Sequence, residues 1–226
     1  EVINLESRIR DFNDTHPDME AGTFGLDLDI TNDLLGIDGK PIYAGEAGNP
    51  STHGQTAFDQ WYNDVAGVNM GINLQLTLDN TITSDNRVYT FKNADIFPID
   101  NQLLGNQGRD HNFHFTLELH TAGVYQGGEI LKFKADDDLW VYINGKIAID
   151  LGGVHKPKGA GISLDAIAAS HNLTIGQEYS YDLFYAERHT KDSHLRFELS
   201  TVPAPGSMAI AALGVVCIGS RRRRKA

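Results

Sequence analysis

Three consecutive carboxylates stand in the middle of the chain, at Asp136, Asp137 and Asp138. Adjacent carboxylates repel one another unless a cation or hydrogen-bond donors compensate their charge. Hard cations such as Ca²⁺ prefer oxygen ligands, and acidic loops supply them. A solvated acidic turn explains the run equally well. Taken alone, the three residues therefore fit a calcium site and a solvated surface turn equally well.

Histidines near a carboxylate form a second group that could bind a metal. Glu118 and His120 lie two residues apart, so they share a strand face about 7 Å apart and could join one site. His111 and His114 differ in parity and point to opposite faces of a strand. A solvated polar face is the favoured interpretation of Glu118 and His120, and a metal site is the alternative.

Signatures of common catalytic machinery are absent from the sequence. It contains no GxSxG, Walker, dinucleotide-binding or HExxH pattern. Its one cysteine, Cys217, excludes an internal disulfide and a cysteine-based zinc site. We therefore predict that the protein is not an enzyme. A hydrolase built from two carboxylates stays open, because acidic residues are abundant and their spacing across strands cannot be read from sequence.

Charge argues against a nucleic-acid partner. The chain has 30 acidic and 19 basic residues, and five of the basic ones lie at positions 221–225. The preceding residues are therefore strongly acidic. Binding to a phosphate backbone needs clustered Lys and Arg, so this composition excludes it for the main part of the chain. An acidic surface suits cation binding, or solubility outside the cell.

Apolar residues alternate with polar ones along most of the chain, which predicts antiparallel strands with one buried face. Asn144-Gly145 has the composition of a two-residue hairpin turn. Around Trp140 both faces are apolar, so that strand is predicted to be central and Trp140 to be partly buried. The alternating segments are 26–30, 72–78, 113–119, 131–133, 139–143, 179–185 and 195–199.

Helical spacing of apolar residues predicts helices at 2–12 and 56–65, and a short third one at 163–170. Segment 31–55 is rich in Gly and Pro and is predicted to be a loop insertion. The fold class is therefore all-β: an antiparallel, jelly-roll-like β-sandwich with two or three peripheral helices. We place this domain at residues 1–201 and a detached tail at 202–226.

The tail has three parts: a proline-bounded spacer, an apolar run of roughly 14 residues, and a basic cluster. It resembles the PEP-type C-terminal sorting signal of exported bacterial proteins, with Pro-Ala-Pro in place of Pro-Glu-Pro. That resemblance implies export, transient anchoring in the inner membrane and processing by an exosortase-type enzyme. A disordered tail is the alternative. The predicted signal residues are Pro203, Ala204, Pro205, Gly206, Arg221, Arg222, Arg223 and Arg224. Near Glu1 no basic segment precedes an apolar one, so no signal peptide is predicted within the sequence.

Two adjacent aspartates are followed by a predicted strand and then by Ile143-Asn144-Gly145-Lys146. This pattern resembles the lectin-like β-sandwich shared by yeast flocculins, bacterial toxins and glycan-binding proteins. The resemblance is closer to one branch, the fibro-slime domain, and spans residues 10–200. The matching stretches are Asp11-Phe12, His16-Pro17-Asp18, Phe97-Pro98-Ile99-Asp100, 111–116, Gly127-Gly128-Glu129, 136–155 and 185–190.

This resemblance implies a calcium ion that contacts sugar hydroxyls and is held by adjacent aspartates joined by a cis peptide bond. Carried over, the metal ligands are Asp136, Asp137 and Glu187, with backbone carbonyls from 188–192. The loop 188–194 would line the sugar site, and the carbohydrate-binding residues are Asp136, Asp137, Arg188 and His189. Asp138 replaces a small residue and Glu187 an amide, so sugar specificity does not transfer.

Two classes of function follow. The first is an exported, calcium-dependent carbohydrate-binding or adhesion domain on the cell surface or in the exopolysaccharide matrix. The second is a structural matrix protein in which calcium only braces the fold. A glycan-active enzyme is a weaker third reading.

Overall fold

The computed structural model describes residues 1–22, 25–93 and 95–200. Within these ranges it has ten strands and two short helices. The strands are β1 (Val2–Phe12), β2 (Asn69–Asp79), β3 (Tyr89–Asn93), β4 (Phe115–Val124), β5 (Ile130–Asp136), β6 (Asp138–Ile143), β7 (Lys146–Leu151), β8 (Lys158–Ser163), β9 (Glu178–Glu187) and β10 (His194–Leu199). The helices are α1 (Gln55–Phe58) and α2 (Leu164–Ile167).

All ten strands belong to one antiparallel sheet in the order β7-β6-β9-β4-β1-β2-β3-β10-β5-β8. The two end strands, β7 and β8, contact each other, so the sheet curves back on itself into a barrel-like sandwich. The prediction of an all-β, antiparallel fold with few short helices is confirmed.

The main core lies between the two halves of this sheet. Side chains of β4, β6 and β9 face side chains of β5 and β10 around a small space of about 20 Å³. Leu119, Val141 and Leu183 line it from one half, and Phe133 and Phe197 from the other. Burial of these apolar side chains drives the closure of the sheet.

A second apolar cluster covers the outer face of β6 and β9. Trp140 and Phe184 point outward there. Trp140 packs against Phe58 and Trp61, and Phe184 packs against Tyr62, all of which follow the 31–55 insertion. Trp140 is fully buried, and its indole N–H donates to Asp150 at 2.9 Å. The predicted central strand is confirmed, and Trp140 is buried completely rather than partly.

The predicted helix at 2–12 is wrong, because this segment forms β1 between β2 and β4. Leu5 and Ile9 are four residues apart, a spacing that fits both a helix and the two-residue period of a strand. Ser7 lies between them and is also buried, with its hydroxyl donating to the carbonyl of Leu74. That contact resolves the ambiguity in favour of the strand.

Other local predictions were partly right. The helices predicted at 56–65 and 163–170 shorten to α1 and α2. The strand predicted at 26–30 is wrong: its backbone is irregular, and the backbone N–H of Asp27 donates to the carbonyl of Gly152. Asn144 and Gly145 have positive φ angles of 53° and 72°, as a tight hairpin between β6 and β7 requires.

In the part of the chain that the structure describes, no helix is long and apolar enough to cross a membrane. The predicted tail, 202–226, lies outside the described residues.

Candidate functional site

Two connections that join the halves of the sheet lie side by side at one end of the sandwich. One is the acidic turn, where β5 ends at Asp136 and β6 begins at Asp138. The other is the loop 188–193 between β9 and β10. Asp136 pairs with His194 of β10, and Asp138 pairs with Ala186 of β9, so the two connections face each other.

The peptide bond between Asp136 and Asp137 is cis, as the resemblance implied. With a cis bond between them, the two side chains project to the same side of the turn, and the charge of Asp137 acts on the carboxyl group of Asp136. Both residues are almost completely buried, with exposures of 7% and 2%. The pair predicted from the sequence is therefore brought together.

Burial is the main cause of the perturbed acidity of this pair. It raises the pKa of Asp136 to about 8, with further contributions from the charges of Asp137 and Asp192. It raises the pKa of Asp137 to about 6, assisted by the charge of Asp138. These directions mean that two ionised carboxylates are unfavourable here without a compensating cation.

Asp137 also ties two loops to the turn. One of its oxygens accepts the backbone N–H of His155 at 3.0 Å. The other accepts the N–H groups of Arg188 and His189, each at 3.1 Å. Three donors from two separate loops fix the position of this carboxylate.

Asp138 has a different role, because its charge is balanced inside the protein. Arg188 binds it through Nε at 2.6 Å and Nη2 at 3.0 Å, and both side chains are fully buried. The backbone N–H of Gly153 donates to the same carboxylate. Arg188 therefore relieves the repulsion from Asp138 inside the protein.

The side chain of Arg188 points into the protein. Its guanidinium donates to the carbonyls of Asp18 and Ser51 and lies 4.8 Å from the centre of the Trp61 ring. The prediction that this side chain contacts sugar needs correction, since no part of it is exposed. His189 differs: its side chain is 24% exposed and lies at the rim, 3.7 Å from Glu20.

Glu187 lies beside the pair at the end of β9. Its Oε2 is 3.0 Å from the hydroxyl of Tyr185, and that hydroxyl also contacts the carbonyl of Asp136. Its Oε1 is buried and has no hydrogen-bond partner among the described residues. Burial, together with the charge of Asp137, raises the pKa of Glu187 well above its usual value. A buried, half-satisfied carboxyl of this kind calls for a proton or a cation.

A complete side-chain cage is not formed. Within residues 1–22, 25–93 and 95–200, no three or more His, Cys, Asp or Glu side chains are grouped so that they could hold a metal. The structure thus joins Asp136 to Asp137 directly, and Glu187 to them only through Tyr185. A hard cation would fit this set of ligands, which consists of two adjacent carboxyl groups and one carboxyl oxygen without a hydrogen-bond partner. Backbone carbonyls or water would complete its coordination shell.

The second predicted group, around Glu118, is an ion-pair network. Glu118 is buried and binds Arg10 at 3.1 Å and Lys40 at 3.2 Å, while His120 is 4.0 Å away. The favoured interpretation, a solvated polar face, was wrong for Glu118. The network holds the 31–55 insertion against the sheet through Lys40, whose ammonium also donates to the carbonyl of Tyr62.

Sequence reasoning missed several residues that support the turn. Asp18 accepts the indole N–H of Trp61 at 2.9 Å, which positions the ring under Arg188. Ser193 contacts Tyr185 at 3.1 Å and closes the loop from the other side. His16-Pro17-Asp18 belonged to the stretches that carried the resemblance, so Asp18 had a signal that we left unassigned.

The structure is an antiparallel β-sandwich with two buried, adjacent aspartates at the turn between β5 and β6. This combination of fold and site is the basis for comparison with known protein families. Residues 111–207 match the family model for the PA14 domain, and residues 201–224 match the PEP-CTERM protein-sorting motif. Residues 111–207 are therefore similar to a PA14 domain and residues 201–224 to a PEP-CTERM motif, which confirms the lectin-like and sorting-signal resemblances. The fibro-slime branch stays a prediction, and the individual signal residues lie outside the described residues.

Curated relatives include two proteins of Dictyostelium discoideum. Protein psiR is 38% identical over 200 residues, which cover 82% of this chain and 20% of psiR. Protein psiD is 35% identical over 209 residues, which cover 85% of this chain and 40% of psiD. The chain thus spans one fifth to two fifths of the length of these relatives. Among solved structures, the PA14 sugar-binding domain from an RTX adhesin matches with a TM-score of 0.38 and 9% identity, covering 90% of this chain and 94% of that one.

Proposed function

We propose that this protein is an exported, calcium-dependent carbohydrate-binding or adhesion domain. The observation that carries the proposal is the almost completely buried pair of aspartates, Asp136 and Asp137, joined by a cis peptide bond at the crossover turn. Arg188 balances Asp138, and the remaining charge of the buried pair is balanced either by a proton or, in this proposal, by an external cation. The PA14 match includes this turn, β9 and the loop 188–193, and this supports a sugar-binding role.

In this proposal Asp136 and Asp137 hold Ca²⁺, with Glu187 as a further carboxyl ligand and carbonyls from 188–192 as additional donors. Bound calcium would offer open coordination positions to neighbouring sugar hydroxyls. His189 lies at the rim of the turn, where an incoming sugar would meet it. The chain's own contribution is to hold the paired carboxyls still, which the three N–H donors to Asp137 achieve.

The test is a titration of calcium, followed by a glycan array with and without chelator. Asp137→Asn keeps the shape of the side chain and removes its charge, so it should weaken calcium binding at least tenfold and abolish sugar binding. Asp165→Asn is the matched control. Asp165 also accepts hydrogen bonds, from Gly128 and Tyr125, but lies beside the start of β5, at the opposite end of the sandwich. Normal calcium binding by Asp137→Asn would refute the site.

A second candidate is a structural matrix protein whose calcium only braces the fold. The near-complete burial of the pair and the link that Asp137 makes between two loops favour it. It predicts a chelator-sensitive melting temperature with no glycan bound. A glycan-active enzyme has no observation in its favour here.

Export and processing form the remaining part of the proposal. The PEP-CTERM match supports a route through the inner membrane, with transient anchoring by the C-terminal segment, cleavage by an exosortase-type enzyme and display on the surface or in the matrix. The expected partners are that enzyme and an extracellular polysaccharide.

A further inference from the structure

Two of the stretches that resemble the fibro-slime domain, 97–100 and 111–116, contact each other in the structure. Neither of them belongs to the acidic turn described above. Phe97 and His111 both lie in the connection between β3 and β4. Their rings stack with centres 3.8 Å apart and planes inclined by only 6°. A near-parallel contact at this distance brings the two flat faces fully together.

The stacked pair is held rigidly by its neighbours. Asp100 lies 2.6 Å from Nδ1 of His111 and accepts the backbone N–H of Asn112 at 2.8 Å. Phe113 is buried and places its ring edge-on to both Phe97 and His111. The imidazole therefore has a fixed orientation before any ligand arrives, which lowers the entropic cost of binding.

One face of the His111 ring remains open. The side chain is 43% exposed even though Phe97 covers one face, so the accessible area belongs to the other face and its edge. This face is therefore available to a ligand.

The pair belongs to the same end of the sandwich as the acidic turn. Ile96, next to Phe97, donates its backbone N–H to the carbonyl of Ser193 at 3.2 Å. The Ser193 hydroxyl in turn contacts Tyr185, which touches the carbonyl of Asp136. The stacked rings thus lie next to the end of the loop 188–193.

We propose that the open face of His111, backed by Phe97, is a stacking surface for a pyranose ring. One face of such a ring is rich in C–H groups, which are attracted to the electron-rich face of an aromatic ring. This proposal rests on the proposed function: one sugar unit binds at the acidic turn, and a further unit of the same chain stacks on His111. The preferred substrate class is then an extended polysaccharide rather than a single sugar.

The test compares His111→Ala with His120→Ala, using oligosaccharide ladders of one to six mannose, galactose or glucose units. His120 is the matched control: its side chain is 46% exposed and its Nδ1 lies 2.8 Å from Asp182, but it has no parallel stacked partner among the described residues. We expect His111→Ala to bind the longer oligosaccharides about tenfold more weakly, with unchanged calcium affinity and unchanged affinity for the single sugar. His120→Ala should behave like the wild type.

His111→Tyr keeps a flat ring and should retain most of the affinity, which separates stacking from a loss of folding. Equal binding of all oligosaccharides by the wild type and His111→Ala would overturn the stacking proposal while leaving the calcium site in place. If the wild type binds none of these sugars, the proposed function fails, and the stacking proposal fails with it.

Discussion

Arg188 and Asp138 form a fully buried ion pair between residues 50 positions apart in the chain. Truncating one partner of such a pair leaves the other charge buried without compensation. We expect Arg188→Ala to destabilise the protein by about 3–5 kcal/mol in denaturant unfolding. Replacing both partners, by Arg188→Met with Asp138→Leu, should cost clearly less. A loss below about 1 kcal/mol for Arg188→Ala would show that the pair is unimportant.

Asp11 gives a pH-dependent prediction. It is buried at the end of β1, and burial raises its pKa from 3.8 to about 6, against the effect of its bond from Leu104 N–H. The folded state therefore holds this proton more tightly than the unfolded state, so the side chain costs stability as the pH rises from about 4 to about 6.

Asp11→Asn removes that titration and keeps an acceptor for Leu104. The stability of the variant minus that of the wild type should therefore increase between pH 4 and pH 6 and stay level above. Urea unfolding of both proteins at a series of pH values measures the difference, and a flat difference curve would contradict the prediction.

At the scale of elements, β6 and β9 are covered on both faces, and this depends on Trp140. Its ring contacts Phe58 and Trp61 in the outer cluster. Trp140→Ala should leave a large cavity and cost about 3–5 kcal/mol in unfolding free energy. Ile37→Ala is the control. Ile37 lies in the 31–55 insertion and is fully exposed, so its substitution should change the unfolding free energy by less than about 0.5 kcal/mol. A mutant that keeps its stability but loses sugar binding would reassign Trp140 to the site.

The strands β2, β4, β5, β6, β9 and β10 could be predicted because a two-residue period of apolar side chains is typical of a half-buried strand. The exceptions are instructive. In β1 the spacing of Leu5 and Ile9 satisfies two periods, and only the pairing with β2 and β4 decides between them. In 26–30 the alternation is present, but the backbone bonds instead to the segment after β7.

The same distinction applies to the site. Adjacent aspartates are visible in a sequence, so the placement of Asp136 and Asp137 side by side at a turn could be predicted. Arg188 was misassigned because its partners, Asp138 and the carbonyls of Asp18 and Ser51, come from distant parts of the chain. Nothing local distinguishes a buried arginine from one at a binding surface.

For the whole molecule, the relation between the two ends of the sandwich matters. β10 starts beside the acidic turn, where His194 pairs with Asp136, and ends at Leu199, which pairs with Leu131. The chain therefore reaches residue 200 at the end opposite the turn.

Deletion of residues 203–226 should leave the melting temperature within a few degrees and calcium binding unchanged, and should abolish surface display in the host. Loss of folding after this deletion would mean that the tail completes the core.

The measurement that tests the central claim most directly is glycan binding by the wild-type protein with and without chelator, read together with its melting temperature. The account predicts sugar binding that disappears when calcium is removed and returns when calcium is restored, while the sandwich stays folded. Sugar binding that is unaffected by chelator, in a protein whose melting temperature is also unaffected, would contradict a calcium site at Asp136 and Asp137.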